Sequence, residues 1–232
     1  MNGEMDHDRD ANDVSDVLSL INEGIVSIPA VPNYRYLQRQ LVELNLHSNE
    51  LTSLEGLGHL SALKYLDLSS NNINAMDASE FWNLQSLVHL NLASNRITDV
   101  DGISSLQNLK ILNLAYNEIR SLDGLKQCSP NHALEELDLR ENYVSDLKQL
   151  LILKRCCKVT RLSFQKSTSA KPTPQTNRQR ATNRVCLHEA YLVVLEHCLP
   201  SLTVLDGQLF FELKKANVDT VEVRKEYQLQ DG

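Results

Sequence analysis

One arrangement of apolar and polar positions recurs along the chain. The copy at Leu87–Val100 reads L-x-x-L-x-L-x-x-N-x-I-x-x-V, with leucines at the fourth and sixth positions alternating with polar residues. This period of two is typical of a strand with one buried face. Since one such strand cannot bury its apolar face alone, we expect the copies to stack, with parallel strands around one continuous core. Further copies open at Leu41, Leu63, Leu109 and Leu134, with a degenerate one at Val159.

The signature resembles the leucine-rich repeat, and the starts of successive copies lie 22 to 25 residues apart. The resemblance implies an α/β solenoid with a curved parallel sheet on its concave face and short helices and turns on its convex face. An asparagine occupies the ninth position of each regular copy. Its amide both donates and accepts hydrogen bonds, so these side chains are expected to form an internal ladder that satisfies the backbone of the turns. The ladder residues are Asn49, Asn71, Asn95, Asn117 and Asn142.

A single repeat domain is predicted over residues 13–211. The acidic residues 1–12 lack apolar periodicity and are expected to be disordered. Residues 13–23 place several aliphatic side chains on one helical face, which predicts a helix that covers the open end of the first repeat. Residues 24–28 then read as a half repeat without its strand. The remaining parts are a polar loop over 167–182, a C-terminal cap over 183–208 and a tail over 212–232.

The ends of the chain and the longest convex turn predict further packing. In that turn Phe81 takes a core position, and the only tryptophan, Trp82, is expected to be partly buried against the neighbouring turn, with an exposed side chain as the alternative. The closing segment resembles the C-terminal cap of short leucine-rich proteins. Its matching residues are Asn183, Tyr191, Leu195, Leu199, Pro200, Leu202, Leu205 and Asp206. After the cap, the apolar residues Leu209, Phe210, Phe211 and Leu213 are expected to pack on it.

The composition gives no indication of catalysis or of a cofactor. No apolar run approaches the ~20 residues of a membrane span, and the acidic N-terminus is unlike a signal peptide. Five cysteines without zinc-like spacing favour reduced, mostly buried thiols in a reducing compartment. No glycine-rich phosphate loop or nucleophile–base set stands out from the repeats. The sequence therefore predicts neither an enzyme nor a cofactor or metal site.

The net charge of −7 conceals a basic block, since Lys154 to Arg184 contains nine basic residues and no acidic one. A second contact for an acidic surface is one interpretation, and tubulin tails, an acidic coiled coil or nucleic acid would all fit. An inert solvated loop is the alternative. Thr173–Pro174 within the block is a candidate phosphorylation site. The predicted basic patch consists of Lys166, Lys171, Arg178, Arg180 and Arg184.

The polar positions of the strands predict a binding surface, because they align across repeats as columns on the concave face. The third position holds aromatic and aliphatic residues in the central repeats and charged residues at the rim, which is the composition of an interface core. The alternative is that Tyr65 and Ile111 merely occupy a tolerant strand. The predicted partner-binding residues are Tyr65, His89, Ile111, Tyr116, Glu136, Arg140 and Arg161.

Residues 24–211 are similar to the N-terminal domain of leucine-rich repeat and coiled-coil centriolar proteins. The resemblance is carried by GIVSI at 24–28, LNLHSN at 44–49, LDLSSN at 66–71, a lengthened turn at 128–133, the basic interruption and the cap. It implies a scaffold at the centriole or basal body that acts in cilium assembly. The coiled coil of that family does not follow, so a fragment or a shorter relative is expected. Three other relatives remain open: a spliceosomal leucine-rich protein that binds an RNA-binding domain in the nucleus, a regulator of protein phosphatase 1, and an axonemal dynein-associated protein.

Overall fold

A computed structural model describes residues 16–165 and 183–216. Its strands form one open sheet in chain order, which positions every repeat beside its sequence neighbours. The first eight described strands are parallel, and the last pairs antiparallel with the eighth. The strands are β1 (Val17–Ser19), β2 (Glu43–Asn45), β3 (Tyr65–Asp67), β4 (His89–Asn91), β5 (Ile111–Asn113), β6 (Glu136–Asp138), β7 (Arg161–Ser163), β8 (Val204–Leu205) and β9 (Gln208–Leu209).

Short helices and 3-10 turns connect the strands on the convex side. Most are a single turn long, and α2 begins where the Asp77 carboxylate accepts a hydrogen bond from the Ser79 backbone N–H at 2.8 Å. The α-helices are α1 (Tyr34–Leu37), α2 (Ala78–Phe81), α3 (Lys148–Leu151), α4 (Tyr191–Cys198) and α5 (Phe210–Ala216). The 3-10 helices span Ile28–Ala30, Leu57–His59, Ile103–Ser105, Asp123–Gln127, Ile152–Cys156 and Arg184–Leu187.

The leucines of the repeated pattern form the core. Leu90 and Leu92, at the fourth and sixth positions of one copy, are fully buried, as are their counterparts in the neighbouring strands. The buried cluster runs without interruption from Ile28 to Phe210. This arrangement confirms the predicted class, an α/β leucine-rich repeat solenoid with an open parallel sheet.

The predicted asparagine ladder is confirmed by its hydrogen bonds. Asn95 Oδ1 accepts from the Ile73 backbone N–H at 3.0 Å, and its Nδ2 donates to the carbonyl oxygens of Leu68 and Leu92 at 3.0 and 3.1 Å. Each of these amides therefore joins two neighbouring repeats. The residue before each ladder asparagine is left-handed, with φ between 55° and 59°. Asn49, Asn71, Asn117 and Asn142 make the equivalent contacts.

Asn183 is a sixth member of this ladder, although the sequence assigns it only to the cap. Its Oδ1 accepts from the Val144 backbone N–H at 3.0 Å, and its Nδ2 donates to Leu139 O at 2.7 Å and Phe164 O at 2.8 Å. In the regular repeats the corresponding carbonyl lies three residues before the asparagine, whereas Phe164 lies 19 residues before Asn183. The degenerate sixth repeat is thus a regular repeat interrupted between Gln165 and Asn183.

The predicted N-terminal helix over residues 13–23 is wrong where the structure describes it. Val17–Ser19 form β1, in which Leu18 pairs with Leu44, and Leu20 N–H donates to Asn45 O at 2.8 Å. Asn22 adopts the left-handed conformation found before the ladder position in other repeats. Residues 24–28 therefore complete a repeat that does have a strand. Residues 1–12, for which disorder was expected, lie outside the described residues.

Two apolar groups are more exposed than the sequence predicts. Trp82 is 72% exposed, because Phe81 fills the core position of this turn and the next side chain points to solvent. At the C-terminus, Phe210 is buried whereas Leu209 and Phe211 are exposed. Lys215 Nζ lies 4.1 Å from the centroid of the Phe211 ring, so this ring contacts a cation. The prediction of a partly buried side chain is wrong for Trp82. The prediction of packing on the cap is confirmed for Phe210 and Leu213, whereas the side chains of Leu209 and Phe211 are mostly exposed.

Candidate protein-binding face

The third-position residues form one column across the concave face. Tyr65 of β3 pairs in register with His89 of β4, which in turn pairs with Ile111 of β5. The rings of Tyr65 and His89 meet edge to face, with centroids 6.4 Å apart. The same column continues through Glu136 to Arg161. The structure therefore brings these five predicted residues together.

An apolar patch occupies the centre of this face. We call Tyr65, His89, Ile111 and Tyr116 the aromatic patch. The side chains of Tyr65 and Tyr116 are 47% and 43% exposed, although each is anchored on a regular repeat. Tyr116 projects from the left-handed turn after β5, with φ of 59°. These rings present unburied apolar surface from a rigid backbone.

Two ion pairs form the rim on one side of the aromatic patch. Arg161 Nε lies 3.0 Å from Glu136 Oε1. Arg140 donates from Nη2 to Asp138 Oδ2 at 2.6 Å and from Nε to the same carboxylate. The hydrogen bonds to Asp138 raise the pKa of the Arg140 guanidinium above its usual value. Both arginines are therefore held by carboxylates of the same face.

A second column, at the fifth position of each repeat, was missed by the sequence reasoning. Its side chains accept hydrogen bonds from the backbone two residues later, as Asn113 Oδ1 does from the Ala115 N–H at 3.0 Å. Asn91 Nδ2 also donates to Asp67 Oδ2 at 3.0 Å across two strands. The signal was visible in the sequence, where every regular copy has Asn or Asp between its two strand leucines. In the five regular repeats the column contains Asn45, Asp67, Asn91, Asn113 and Asp138. It continues through Ser163 to Asp206, whose carboxylate accepts instead from the backbone N–H groups of Phe164 and Gln165.

A shallow depression of about 310 Å³ lies where β6, β7 and β8 meet the concave face. Asp206 lines it and accepts hydrogen bonds from the backbone N–H groups of Phe164 and Gln165 at 2.6 and 2.8 Å. Burial raises the pKa of the Asp206 carboxyl. The rest of the lining includes His89, Ile111, Glu136, Arg140 and Arg161, so the depression is continuous with the aromatic patch and its rim.

The predicted basic patch lies mostly outside the described residues. Lys166, Lys171, Arg178 and Arg180 fall in residues 166–182, and only Arg184 is described, as an exposed residue that follows the ladder residue Asn183. The patch therefore stays a prediction. The structure does place Gln165 and Asn183, which flank this segment, at the turn after β7 beside the concave face.

Three of the five cysteines are buried, and Cys157 and Cys186 are partly buried. Cys128, Cys156 and Cys198 are buried, and burial raises the pKa of Cys186 to about 12 and that of Cys198 to about 11. Within residues 16–165 and 183–216, no group of three or more His, Cys, Asp or Glu side chains could hold a metal ion. Across the same ranges, none of the helices combines the length and apolar character needed to cross a bilayer.

Comparisons with known proteins agree with this architecture. Residues 39–97 match the family described as leucine rich repeat, and residues 85–127 match the model for two copies of leucine rich repeats. Internalin C2 from Listeria monocytogenes has a similar structure, with a TM-score of 0.57 and 28% sequence identity over 81% of this chain and 69% of that chain. Because 371 chains of known structure match, such likeness defines the fold without singling out one function. No curated protein sequence matches the chain.

The repeat register, the ladder and these matches define a leucine-rich repeat protein. Leucine-rich repeat domains are generally non-enzymatic modules that bind other proteins along an extended concave surface. In this chain, that surface carries the aromatic patch and its charged rim.

Proposed function

We propose that this protein is a non-enzymatic scaffold that binds a protein partner on its concave face. The aromatic patch forms the core of the interface, and Glu136, Arg140 and Arg161 form its polar rim. The observation that carries the proposal is the in-register column of Tyr65, His89 and Ile111, which leaves aromatic surface exposed on a rigid sheet. Buried aromatic anchors surrounded by polar groups contribute most of the binding energy in protein interfaces.

Rigidity favours this use of the face. The strands are fixed by parallel pairing on both sides, and the ladder fixes the turn that follows each one. A tyrosine has only two side-chain torsions, so anchoring it on such a backbone lowers the entropy lost on binding. The depression beside the patch adds a concave recess for a side chain of the partner.

The proposal extends to a cellular setting at the centriole or basal body, with a role in cilium assembly. What supports it is the sequence resemblance of residues 24–211 to the N-terminal domain of leucine-rich repeat and coiled-coil centriolar proteins. The protein would then work in the cytoplasm, attached to the cytoskeleton of the centrosome, basal body or cilium.

Proximity labelling in ciliated cells tests both parts. The tagged chain is compared with a Tyr65→Ala/Tyr116→Ala variant and with a Tyr36→Ala/Trp82→Ala variant that removes two exposed aromatic residues of the convex side. We expect centriolar proteins among the labelled neighbours of the wild type, with their direct capture weakened by more than about 1 kcal/mol per hot-spot tyrosine in the first variant. The second variant should bind normally, and both should melt like the wild type.

The outcomes separate the two parts. Full partner capture by Tyr65→Ala/Tyr116→Ala would move the interface away from the concave face. Labelling of splicing factors in the nucleus, lost in the same variant, would retain the interface and replace the centriolar setting with that of the spliceosomal relative.

A further inference from the structure

The described part of the concave face carries more acidic than basic residues. Among the described residues at the third, fifth, seventh and eighth positions of the repeats, six are acidic and two are basic, which gives a net charge of −4. The second positions, beside the strands, leave this charge unchanged because they hold two lysines and two carboxylates, namely Asp16, Lys64, Lys110 and Glu135. Of these, Lys110 and Glu135 form an ion pair at 2.9 Å. The acidic residues of the face are Glu43, Asp67, Glu136, Asp138, Glu141 and Asp206, and the basic ones are Arg140 and Arg161.

Both arginines of the face are paired with carboxylates of the same face. Arg140 is held by Asp138 and Arg161 by Glu136, so each ion pair is close to neutral and the net negative charge comes from the other acidic residues. Acidic residues lie on both sides of the aromatic patch, with the exposed Glu43 on β2 at one side and Glu136, Asp138 and Glu141 around β6 at the other. Asp206, beyond β8, adds negative charge but uses its carboxylate to accept from the Phe164 and Gln165 backbone N–H groups. The face is therefore an apolar strip between two acidic flanks.

We infer that the concave face binds a basic amphipathic segment of a protein, in which lysine or arginine side chains flank an apolar anchor. This inference rests on the proposed function and specifies the chemistry of its partner. The anchor lies against Tyr65, His89 and Ile111, and the flanking cations meet the carboxylates on either side. Complementary charge of this kind steers the encounter and fixes the register of the complex.

The same charge distribution rejects other partners. An acidic segment would bring like charges together in a region where its own charges lose water, which opposes binding. The phosphates of a nucleic acid meet the same repulsion on this face. Selectivity by charge is therefore built into the repeat positions that also carry the aromatic patch.

The test begins with a random peptide library displayed on phage and panned on the full-length protein, with counter-selection on Tyr65→Ala/Tyr116→Ala. Sequences that depend on the two tyrosines should be enriched in lysine and arginine around an aromatic or aliphatic residue. The most enriched peptide is then synthesised, and its affinity is measured by fluorescence anisotropy at low and high salt.

Charge reversal locates the effect on the face. Glu43→Lys/Glu136→Lys should weaken binding of the basic peptide by at least about tenfold at low salt, since both carboxylates flank the patch. Glu55→Lys/Glu118→Lys changes the net charge equally at exposed positions outside the concave face and should weaken it by less than about twofold. Glu43→Gln/Glu136→Gln, which adds no repulsion, should fall between these variants. Thermal melts identify any variant that fails to fold.

The results distinguish this inference from the proposed function. If the tyrosine-dependent peptides are acidic or uncharged, or if both charge-reversal variants weaken binding equally, the inference is overturned while the concave interface stands. If no recovered peptide depends on Tyr65 and Tyr116, the proposed function fails and the inference fails with it.

Discussion

The buried amides of the ladder determine how a single residue affects this fold. Asn95 accepts a hydrogen bond from the Ile73 backbone N–H and donates to the carbonyl oxygens of Leu68 and Leu92 in the buried turn after β4. Asn95→Ala leaves the Ile73 N–H without its partner and removes one of the two amide donors to each carbonyl, since Asn71 and Asn117 still contact them. We therefore expect the free energy of unfolding to fall by about 1–3 kcal/mol. Urea denaturation followed by circular dichroism measures the change. Asn74→Ala, at an exposed position of the preceding repeat, is the matched control and should be nearly neutral.

A midpoint for Asn95→Ala that equals that of Asn74→Ala would show that water reaches the turn and replaces the amide. Asn183→Ala extends the comparison to the interrupted repeat. Its amide makes the same three kinds of contact, so the loss should be similar.

His132 is a buried histidine held in its neutral form. The Leu134 backbone N–H donates to Nδ1 at 3.3 Å, which leaves Nε2 as the protonated nitrogen that donates to Ile103 O at 3.2 Å. Nδ1 cannot take a proton without losing the hydrogen bond that it accepts from the Leu134 N–H. Desolvation by burial lowers the pKa of the ring below 6.5. His132 therefore makes the stability of the lengthened turn after β5 depend on pH.

The direction of the pH dependence follows from the lowered pKa of His132. Because the folded chain holds the proton less tightly than the unfolded chain, the neutral ring's contribution is complete above pH 6.5 and is lost as the pH falls toward the lower pKa of the folded state. We expect the free energy of unfolding to decrease from pH 7 to pH 5 in the wild type, and to decrease less in His132→Gln. Urea titrations at each pH measure it. Equal pH dependence in both proteins would assign the acid sensitivity to other groups.

At the scale of elements, the strands β2 to β7 could be predicted because each repeats the same buried leucines in the same frame. The strand β1 could not. Val17, Leu18 and Ile21 satisfy a helical period, while Leu18 and Leu20 also alternate as in a strand. Only pairing with β2 decides between the two, and that contact is not local in sequence. Asn183 was missed for a related reason, since 19 residues separate it from the carbonyl it caps.

The candidate site was predictable only in part. Knowing the repeat frame was sufficient to align Tyr65, His89 and Ile111 in one column. The exposure of Trp82 was not predictable, because it depends on Phe81 already filling the space between two turns. The pairing of Arg140 with Asp138 also required side-chain geometry.

Close packing between convex elements gives a prediction at the same scale. A Cβ on Gly124, in the 3-10 helix Asp123–Gln127, would lie 2.4 Å from Val100 O and 2.6 Å from Val100 C. Backbone atoms cannot move aside as a flexible side chain can, so Gly124→Ala should destabilise the protein by about 1–3 kcal/mol or more. Thermal denaturation checks this. Lys126→Ala in the same helix is the control, since its exposed ion pair with Asp123 contributes little. Equal melting temperatures would mean that the two turns separate freely.

For the whole molecule, the continuous core and the ladder predict one cooperative unfolding transition. Phe164→Ala tests this at the C-terminal end, where the buried ring packs edge to face on Tyr191 with centroids 6.1 Å apart. Removing it should cost about 3–5 kcal/mol and shift the single calorimetric peak of the entire protein. A separate early peak in the variant, with the main peak unmoved, would show that the C-terminal cap unfolds independently.

The interruption between Gln165 and Asn183 shows that this solenoid tolerates an insertion immediately before a ladder asparagine. The ladder closes across it with ordinary distances, and the entropy of loop closure rises by only about 0.6 kcal/mol for each doubling of loop length. The regular repeats have the same turn, for example between Ser94 and Asn95. For protein engineering, the junction between Ser94 and Asn95 is therefore a suitable point at which to insert a circularly permuted fluorescent reporter. Its signal would then sense occupancy of the adjacent concave face in a living cell.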